Sequence, residues 1–487
     1  MKIRSVKTNY ILNIIRAVTF ALITIITMPY INKILGPVNV GKVEYVNTII
    51  NYFVLFSALG IPMYGIREIA KVRADKNERD KTTVELLIIL LITSVVSYAL
   101  LFGVLYQLDF FSNYRDLILL MSVMIVLTNV GAEWYFQGME DQVYITIRYV
   151  LVRIVSVVIL FLLVKSSEDY LMYAFTLVIT VCGSNIFNIY HLLKTIDFKK
   201  VRQDKLDIKR HLKPIMTIFV AAISVNIYLQ LDNFLISTIS GDEYLGYYSV
   251  SNKLIRFLIT FITIVGMVLL PRLSNLYETD RALYFVYLKK AFVLILLMAI
   301  PSSIVFFIFS SSIIALFAGQ AFLPSVLTMQ LLSPLCIIVG IAYFIGYLLL
   351  YTQNEEKIYT KAVLISAIFS VCVNFFAISH YQQNGAAVVA VLAELLAILI
   401  MIYFAKSKIR ELHLLDGNLM KILAISIAVF ILSLVFNYSL SIENNYFKIL
   451  SIFFPYLFFF LFLIITKERV TTELITLLSQ KLRKKTI

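Results

Sequence analysis

Fourteen apolar stretches run through this 487-residue chain, and its Lys and Arg residues collect in every second gap between them. Each stretch is close to the roughly 20 residues an α-helix needs to cross bilayer hydrocarbon. Hydropathy windows place the spans at Tyr10–Leu35, Tyr45–Ile66, Val84–Tyr106, Leu117–Phe136, Val143–Val164, Tyr170–Leu193 and Pro214–Ile239. The remaining seven are Tyr248–Leu270, Ala291–Ala318, Val326–Tyr351, Ala362–Ser379, Ala386–Ala405, Lys421–Tyr438 and Ile449–Thr466. Backbone N–H and C=O groups have no water to bond in hydrocarbon, so such a chain must be an all-α membrane protein.

The charge pattern orients it. Basic residues crowd the gap Arg67 to Thr83, the gap Lys194 to Lys213 and the tail with Lys481, Arg483, Lys484 and Lys485. The alternate loops, such as Ser240 to Tyr247 and His380 to Gly385, are short and nearly free of them. By the positive-inside rule, both termini and the basic loops face the cytoplasm. The net charge of +14 therefore signals topology and not nucleic-acid binding. The first span is too long for a signal-peptide core, and no small-residue cleavage site follows it.

Enzyme and cofactor signatures are missing. Cys182, Cys336 and Cys372 all lie in spans, with no metal or disulfide spacing, and read as core filler. The segment Gly36 to Val43 imitates a GxxxxGK phosphate loop, but Val43 stands where Mg²⁺ binding needs Ser or Thr and no strand precedes it. There is no HExxH or GxSxG, and His191, His211, His380 and His413 sit at span ends or in loops. These features imply no cofactor, no metal and no covalent chemistry, so energy must come from an ion gradient, the membrane potential or the substrate gradient.

An internal repeat organises the spans. Gly36, Gly41 and Asn47 recur as Gly241, Gly246 and Asn252 at one offset of 205, and Arg67 recurs as Arg272. The offset covers six helices, an even number, so the two copies run the same way through the membrane. The expected architecture is two six-helix lobes related by a pseudo-two-fold along the membrane normal, plus two C-terminal helices, with a site between the lobes near mid-bilayer. The divisions are an N-lobe at 1–193, a basic linker at 194–213, a C-lobe at 214–405, the last two helices at 406–466 and a tail at 467–487. In the linker Ile196, Phe198, Val201, Leu206 and Ile208 alternate with charges, as expected of a segment on an anionic leaflet. The tail reads likewise, with Leu474, Leu477, Leu478 and Leu482 on its apolar side.

Charges inside spans narrow the search for a site, because one at mid-span costs about 2.5–3.5 kcal/mol on insertion scales. Arg16, Arg148, Arg153, Lys253 and Arg256 face only Glu133, Asp232 and Glu394. Arg16 and Arg148 are about 6 residues from a cytoplasmic end, where snorkelling is an equal alternative to a site. Arg153, Arg256 and Glu394 lie deeper and need partners or water. Asp232 and Arg256 sit at similar depth, as a structural ion pair or as substrate contacts. By helical phase Asn13, Arg16, Thr24 and Thr27 share one face, as do Asn226, Gln230, Asn233 and Ser237, and as do Ser122, Asn129 and Glu133. Helix-to-helix hydrogen bonding competes with a wet cavity as the reason. A cavity with this basic surplus favours an anionic head group, and its polar stripes suit sugars.

Three segments resemble one family. Glu133-Trp134-Tyr135-Phe136-Gln137-Gly138-Met139-Glu140, followed by Tyr144-Ile145-Thr146-Ile147-Arg148, looks like the fourth-helix signature of the polysaccharide repeat-unit flippases. These belong to the multidrug/oligosaccharidyl-lipid/polysaccharide exporter superfamily. Pro29-Tyr30, Leu35-Gly36-Pro37 and Tyr64-Gly65-Ile66-Arg67-Glu68-Ile69-Ala70 are similar to its first hairpin, and Asp232, Gly246-Tyr247-Tyr248, Lys253 and Leu270-Pro271-Arg272 to the start of its second lobe.

The resemblance covers essentially the whole chain. It implies fourteen helices, alternating access and a polyprenyl-diphosphate-linked oligosaccharide as substrate. Membrane lipids, and polymerase and chain-length proteins of the same pathway, are the partners in view. Arg16, Arg153, Lys253 and Arg256 would hold the diphosphate, and Asn13, Asn226, Gln230 and Asn233 the polar stripe. Glu133, Asp232 and Glu394 would be the ion-coupling candidates, with nothing in the sequence selecting among them. The rival readings are a drug or metabolite antiporter of the same fold, and a membrane polymerase or glycosyltransferase. The outer loops, each about 5–10 residues, are short for the enzymes.

Overall fold

A computed structural model describes residues 6–201, 206–412, 414, 416–439, 451–473 and 476, with side chains described outside 6–11, 14, 17, 20, 21, 221–229, 265 and 439. Among these residues every regular element is helical. In chain order the helices are α1 (Val6–Ala58), α2 (Ile61–Val72), α3 (Lys76–Gly103), α4 (Arg115–Val130), α5 (Glu133–Gly138) and α6 (Gln142–Leu163). Next come α7 (Tyr170–Thr195), α8 (Phe198–Val201), α9 (Lys209–Ser240), α10 (Asp242–Thr279), α11 (Arg281–Ile308) and α12 (Ser310–Phe317). The last are α13 (Ser325–Leu332), α14 (Leu335–Tyr343), α15 (Glu356–Phe404), α16 (Lys406–Glu411), α17 (Gly417–Ser439) and α18 (Phe454–Ile465).

Ten of the described helical stretches are long and apolar enough to cross a bilayer, so this is a multi-pass membrane protein. Two of them carry two expected spans each: α1 bends at Gly36 and α15 at Gln382. With α9 and the shorter apolar α18, these stretches are consistent with fourteen crossings.

The chain forms two compact units, Met1–Gly246 and Tyr247–Ile487. In the first, α1 packs along α3, α4, α6 and α9, and α4 lies on α7. The Asn129 amide donates to the hydroxyls of Ser57 and Ser94, both at 2.8 Å, tying α4 to α1 and α3. In the second unit α11 is the central helix, packed on α14, α17 and α18. Its Ser302 hydroxyl meets the Tyr456 hydroxyl at 2.7 Å.

The repeat is visible in the backbone. Gly36 (φ 72°, ψ 174°) and Gly241 (φ 108°, ψ 166°) share an extended positive-φ conformation that is costly for any other residue. Five positions on, Gly41 and Gly246 have no room for a side chain. A Cβ on Gly41 would lie 1.8 Å from the Asp242 carbonyl oxygen, and one on Gly246 would lie 2.1 Å from the Pro37 carbonyl oxygen. Asp242 is the counterpart of Pro37 at the same offset, so the contact is reciprocal.

Three expectations need correction. The span expected at Tyr45–Ile66 breaks at Leu59 and Gly60, both at positive φ, and Pro62 then starts the separate helix α2. The span expected at Leu117–Phe136 breaks at Ala132 (φ 41°), which splits the stripe of Ser122, Asn129 and Glu133. Asn129 serves the packing of α4, while Glu133 starts α5 in a new direction. The linker, expected on a leaflet, is stitched to protein instead. The Asp80 carboxylate accepts from Asp197 N at 3.2 Å, and the buried Glu85 carboxylate accepts from Asp207 N at 2.7 Å and Arg210 at 2.6 Å. Ile196 and Val201 are buried, because carboxylates on α3 satisfy the linker backbone and draw it in; Phe198 stays exposed. Those bonds, with the packing of α9 on α1, group α9 with the first unit. Among the cysteines Cys182 and Cys336 are buried, but Cys372 is exposed. His413, the tail leucines Leu474, Leu477, Leu478 and Leu482, and the basic residues from Lys481 lie outside the described residues.

Candidate functional site

The α4–α5 break builds the site. It lets α5 pack against α2, where Trp134 lies on Gly65 and Phe136, Ile61, Ile69 and Leu86 close a core. The Glu133-to-Glu140 signature is thus a packing motif on one side. On the other it presents Glu133, 34% exposed, to two arginines. Arg16 of α1 reaches Glu133 Oε1 at 3.5 Å and Gln142 Oε1 at 3.0 Å, and bonds the Asn13 carbonyl oxygen. Arg148 of α6 reaches Glu133 Oε2 at 3.4 Å and donates to the Ser184 carbonyl at 2.6 Å. Gln137 donates to Glu133 at 3.1 Å.

Arg148 is therefore no snorkelling residue: its side chain is 4% exposed, and its guanidinium lies 5.5 Å from the Tyr144 ring centroid. Hydropathy could not have shown this, because depth along α6 says nothing about the direction of the α5 carboxylate. Arg153, one turn further along, is also buried, with its guanidinium 4.4 Å from the Tyr149 ring centroid. At Glu133 two guanidinium groups meet one carboxylate. Guanidinium stays protonated, so pairing leaves a surplus of positive charge.

Other expected residues sit elsewhere. On α9 the Asn233 amide donates to the Thr48 hydroxyl at 3.4 Å, and Gln230 is half-buried. Asp232 lies in electrostatic reach of Tyr52, and Ser237 bonds the Asp242 carboxylate at 2.5 Å. The Asn226 side chain lies outside the described residues. In α1, Thr27 turns back to the Ile23 carbonyl at 2.9 Å. In the second unit Arg256 is exposed, with its Nε donating to Asn252 at 2.9 Å, and it is in electrostatic reach of Glu394. Lys253 is half-buried one turn before it on α10. Gln137 and Tyr144 of the signature segments complete the first cluster, together with Gln142 and Tyr149, which the sequence did not single out. The only signal for those two was proximity to arginines in the same helix.

A putative O-antigen transporter of Escherichia coli (strain K12) is 19% identical over 386 residues, covering 79% of this chain and 93% of that protein. Its counterpart in Shigella dysenteriae is 23% identical over 384 residues, covering 78% and 95%. Among solved structures, the lipid II flippase MurJ in an inward closed conformation superposes with a TM-score of 0.62 at 16% identity, covering 93% of this chain and 97% of MurJ. An inward-facing MATE-family multidrug transporter of the MOP superfamily gives 0.56 at 16% identity, covering 86% and 98%. These two show a shared transporter fold. The sequence model of the polysaccharide biosynthesis protein family matches residues 6–277. That match spans more than half of the chain, and the protein belongs to this family.

Proposed function

We propose that this protein is a flippase. It moves polyprenyl-diphosphate-linked oligosaccharide repeat units from the inner to the outer leaflet of the cytoplasmic membrane, for surface polysaccharide synthesis. The observation that carries this is the arginine surplus around Glu133, where Arg16 and Arg148 share a single carboxylate inside the membrane domain and Arg153 lies buried five residues further along α6. A diphosphate is the natural complement: it is doubly anionic, and guanidinium groups bond phosphate oxygens in pairs. Attraction is strong in a low-dielectric setting, where unit charges about 4 Å apart interact several-fold more than in water. In this reading Arg16, Arg153, Lys253 and Arg256 receive the diphosphate, and Asn13, Asn226, Gln230 and Asn233 hydrogen-bond the passing sugars.

Nothing is cleaved or formed; the cycle is alternating access. Glu133 is the preferred coupling carboxylate, since it already balances two arginines. Protonating it would release them toward the substrate. Asp232 and Glu394 are the other acidic candidates for a proton or cation. The name of the O-antigen transporters and the flippase fold of MurJ support the reading.

The test is transbilayer movement of the lipid-linked oligosaccharide in proteoliposomes, scored by accessibility of the sugar from outside. Arg153→Ala and Arg256→Ala are expected to abolish movement while inserting at the wild-type level. Full movement in both variants would remove the anion-binding argument.

A further inference from the structure

The second unit carries a run of tyrosines that the arginine chemistry does not use. Tyr343 ends α14, Tyr347 lies in the π-helical turn Phe344–Leu350, and Tyr351 follows it. Residues four apart drift by about 40° around an ideal α-helix. The wider i→i+5 turn takes up that drift, and the rings stack. Tyr343 and Tyr347 are 4.8 Å apart at 21°, and Tyr347 and Tyr351 are 6.3 Å apart at 29°. Tyr359 of α15 meets Tyr347 at 5.1 Å.

Two sides of this ladder are packed: a Cβ on Gly266 of α10 would come within 2.2 Å of the Tyr343 ring, and one on Gly346 within 2.5 Å of the Tyr359 ring. The rest remains reachable, since Tyr343, Tyr347 and Tyr359 are half-buried and Tyr351 is 52% exposed. Glu394 lies in electrostatic reach of both Tyr359 and Arg256, so charge stands beside the rings. Dry packing would be served by phenylalanine, of which the chain has 36. Four phenols in one place require polar company. A π-turn is rare and recurs at functional sites.

We propose that the ladder of Tyr343, Tyr347 and Tyr359 is the glycan-contacting surface that sets sugar specificity, an inference that rests on the flippase reading. A pyranose ring offers a C–H face and a rim of hydroxyls. The first lies on a tyrosine π-face and the second bonds phenol oxygens. Charge is then read by arginines and sugar by tyrosines, on different helices.

The experiment uses the full-length protein in lipid nanodiscs with two probes. One is polyprenyl diphosphate without sugar; the other is the same carrier bearing its oligosaccharide, extracted from a flippase-deleted strain. Tyr347→Ala is expected to weaken glycolipid binding roughly tenfold and leave the bare carrier unchanged. Tyr347→Phe keeps the ring stack and should lose only part of that selectivity. Arg153→Ala should weaken both probes alike. Equal loss for both probes in Tyr347→Ala, or no loss for either, would reduce the ladder to packing. Wild-type protein that binds both lipids equally well would sink the ladder and spare the flippase reading. Wild-type protein that binds neither would sink both.

Discussion

The reciprocal glycine contact makes a prediction that the geometry fixes closely. In Gly41→Ala the new Cβ would meet the Asp242 carbonyl oxygen at 1.8 Å and its carbon at 2.6 Å. Ordinary contact begins near 3.4 Å, so the two backbones must part by about 1.6 Å. The obstacle is main chain, which has no rotamer to change. In Gly246→Ala the contacts are 2.1 Å and 2.8 Å to Pro37, requiring a similar shift. Overpacking of this kind costs about 1–3 kcal/mol, and the rigid partner puts each variant at the upper end. Both alanines push on one joint. Once the first has opened it, the second should add less than about 1 kcal/mol, a coupling outside the range of independent sites. Thermal unfolding in detergent at one scan rate, followed by the fluorescence of Trp134, the chain's single tryptophan, measures this. Each single variant should melt roughly 3–6 °C lower, and the double variant only slightly below that. Additive losses, or an unshifted Gly41→Ala, would refute the reciprocal contact.

Glu133→Gln leaves buried Arg148 without its acid; with Glu133 one-third exposed, the loss should be about 1–3 kcal/mol, smaller in an Arg148→Met background, by the same melting assay. Gly65→Ala sets a Cβ 2.5 Å from the Trp134 ring and should cost about 1–3 kcal/mol, a penalty that Trp134→Leu relieves, as thermal scans of the single and double variants by light scattering will show. Glu468, just past α18, gives a pH test. Burial pushes its carboxyl up, but the N–H groups of Val470 and Thr471 and the Asn418 amide outweigh burial and hold it below the ordinary glutamate range. Its contribution is therefore complete at neutral pH and vanishes as pH falls through that lowered value. Wild type and Glu468→Gln should differ in melting temperature at pH 7 and converge only once the pH has fallen below the ordinary glutamate range; a constant difference would refute the assignment.

Much of the fold was legible because hydrocarbon permits few solutions. The spans, their alternate basic gaps and the 205-residue repeat follow from backbone satisfaction and from two glycines that admit no side chain. The candidate site was legible only in part. Arg153 stood out as a charge at depth and Glu133 as a carboxylate inside a span, since apolar sequence makes any charge conspicuous. Arg148 did not, because distance from a span end describes an isolated helix. Whether its side chain rises to the interface or turns inward depends on where the Ser184 carbonyl and the Glu133 carboxylate stand.

Sequence by itself determined that this is a helical membrane protein, where its crossings fall, and that cations outnumber anions within them. Those properties depend on side-chain identity and one-dimensional spacing. Tertiary structure alone decided the breaks at Leu59–Gly60 and Ala132, the capture of the linker by Asp80 and Glu85, the gathering of arginines on Glu133 and the stacking of tyrosines on a π-turn. Each depends on the directions of side chains from helices far apart in sequence, and a left-handed residue or one extra residue in a turn redirects everything that follows it.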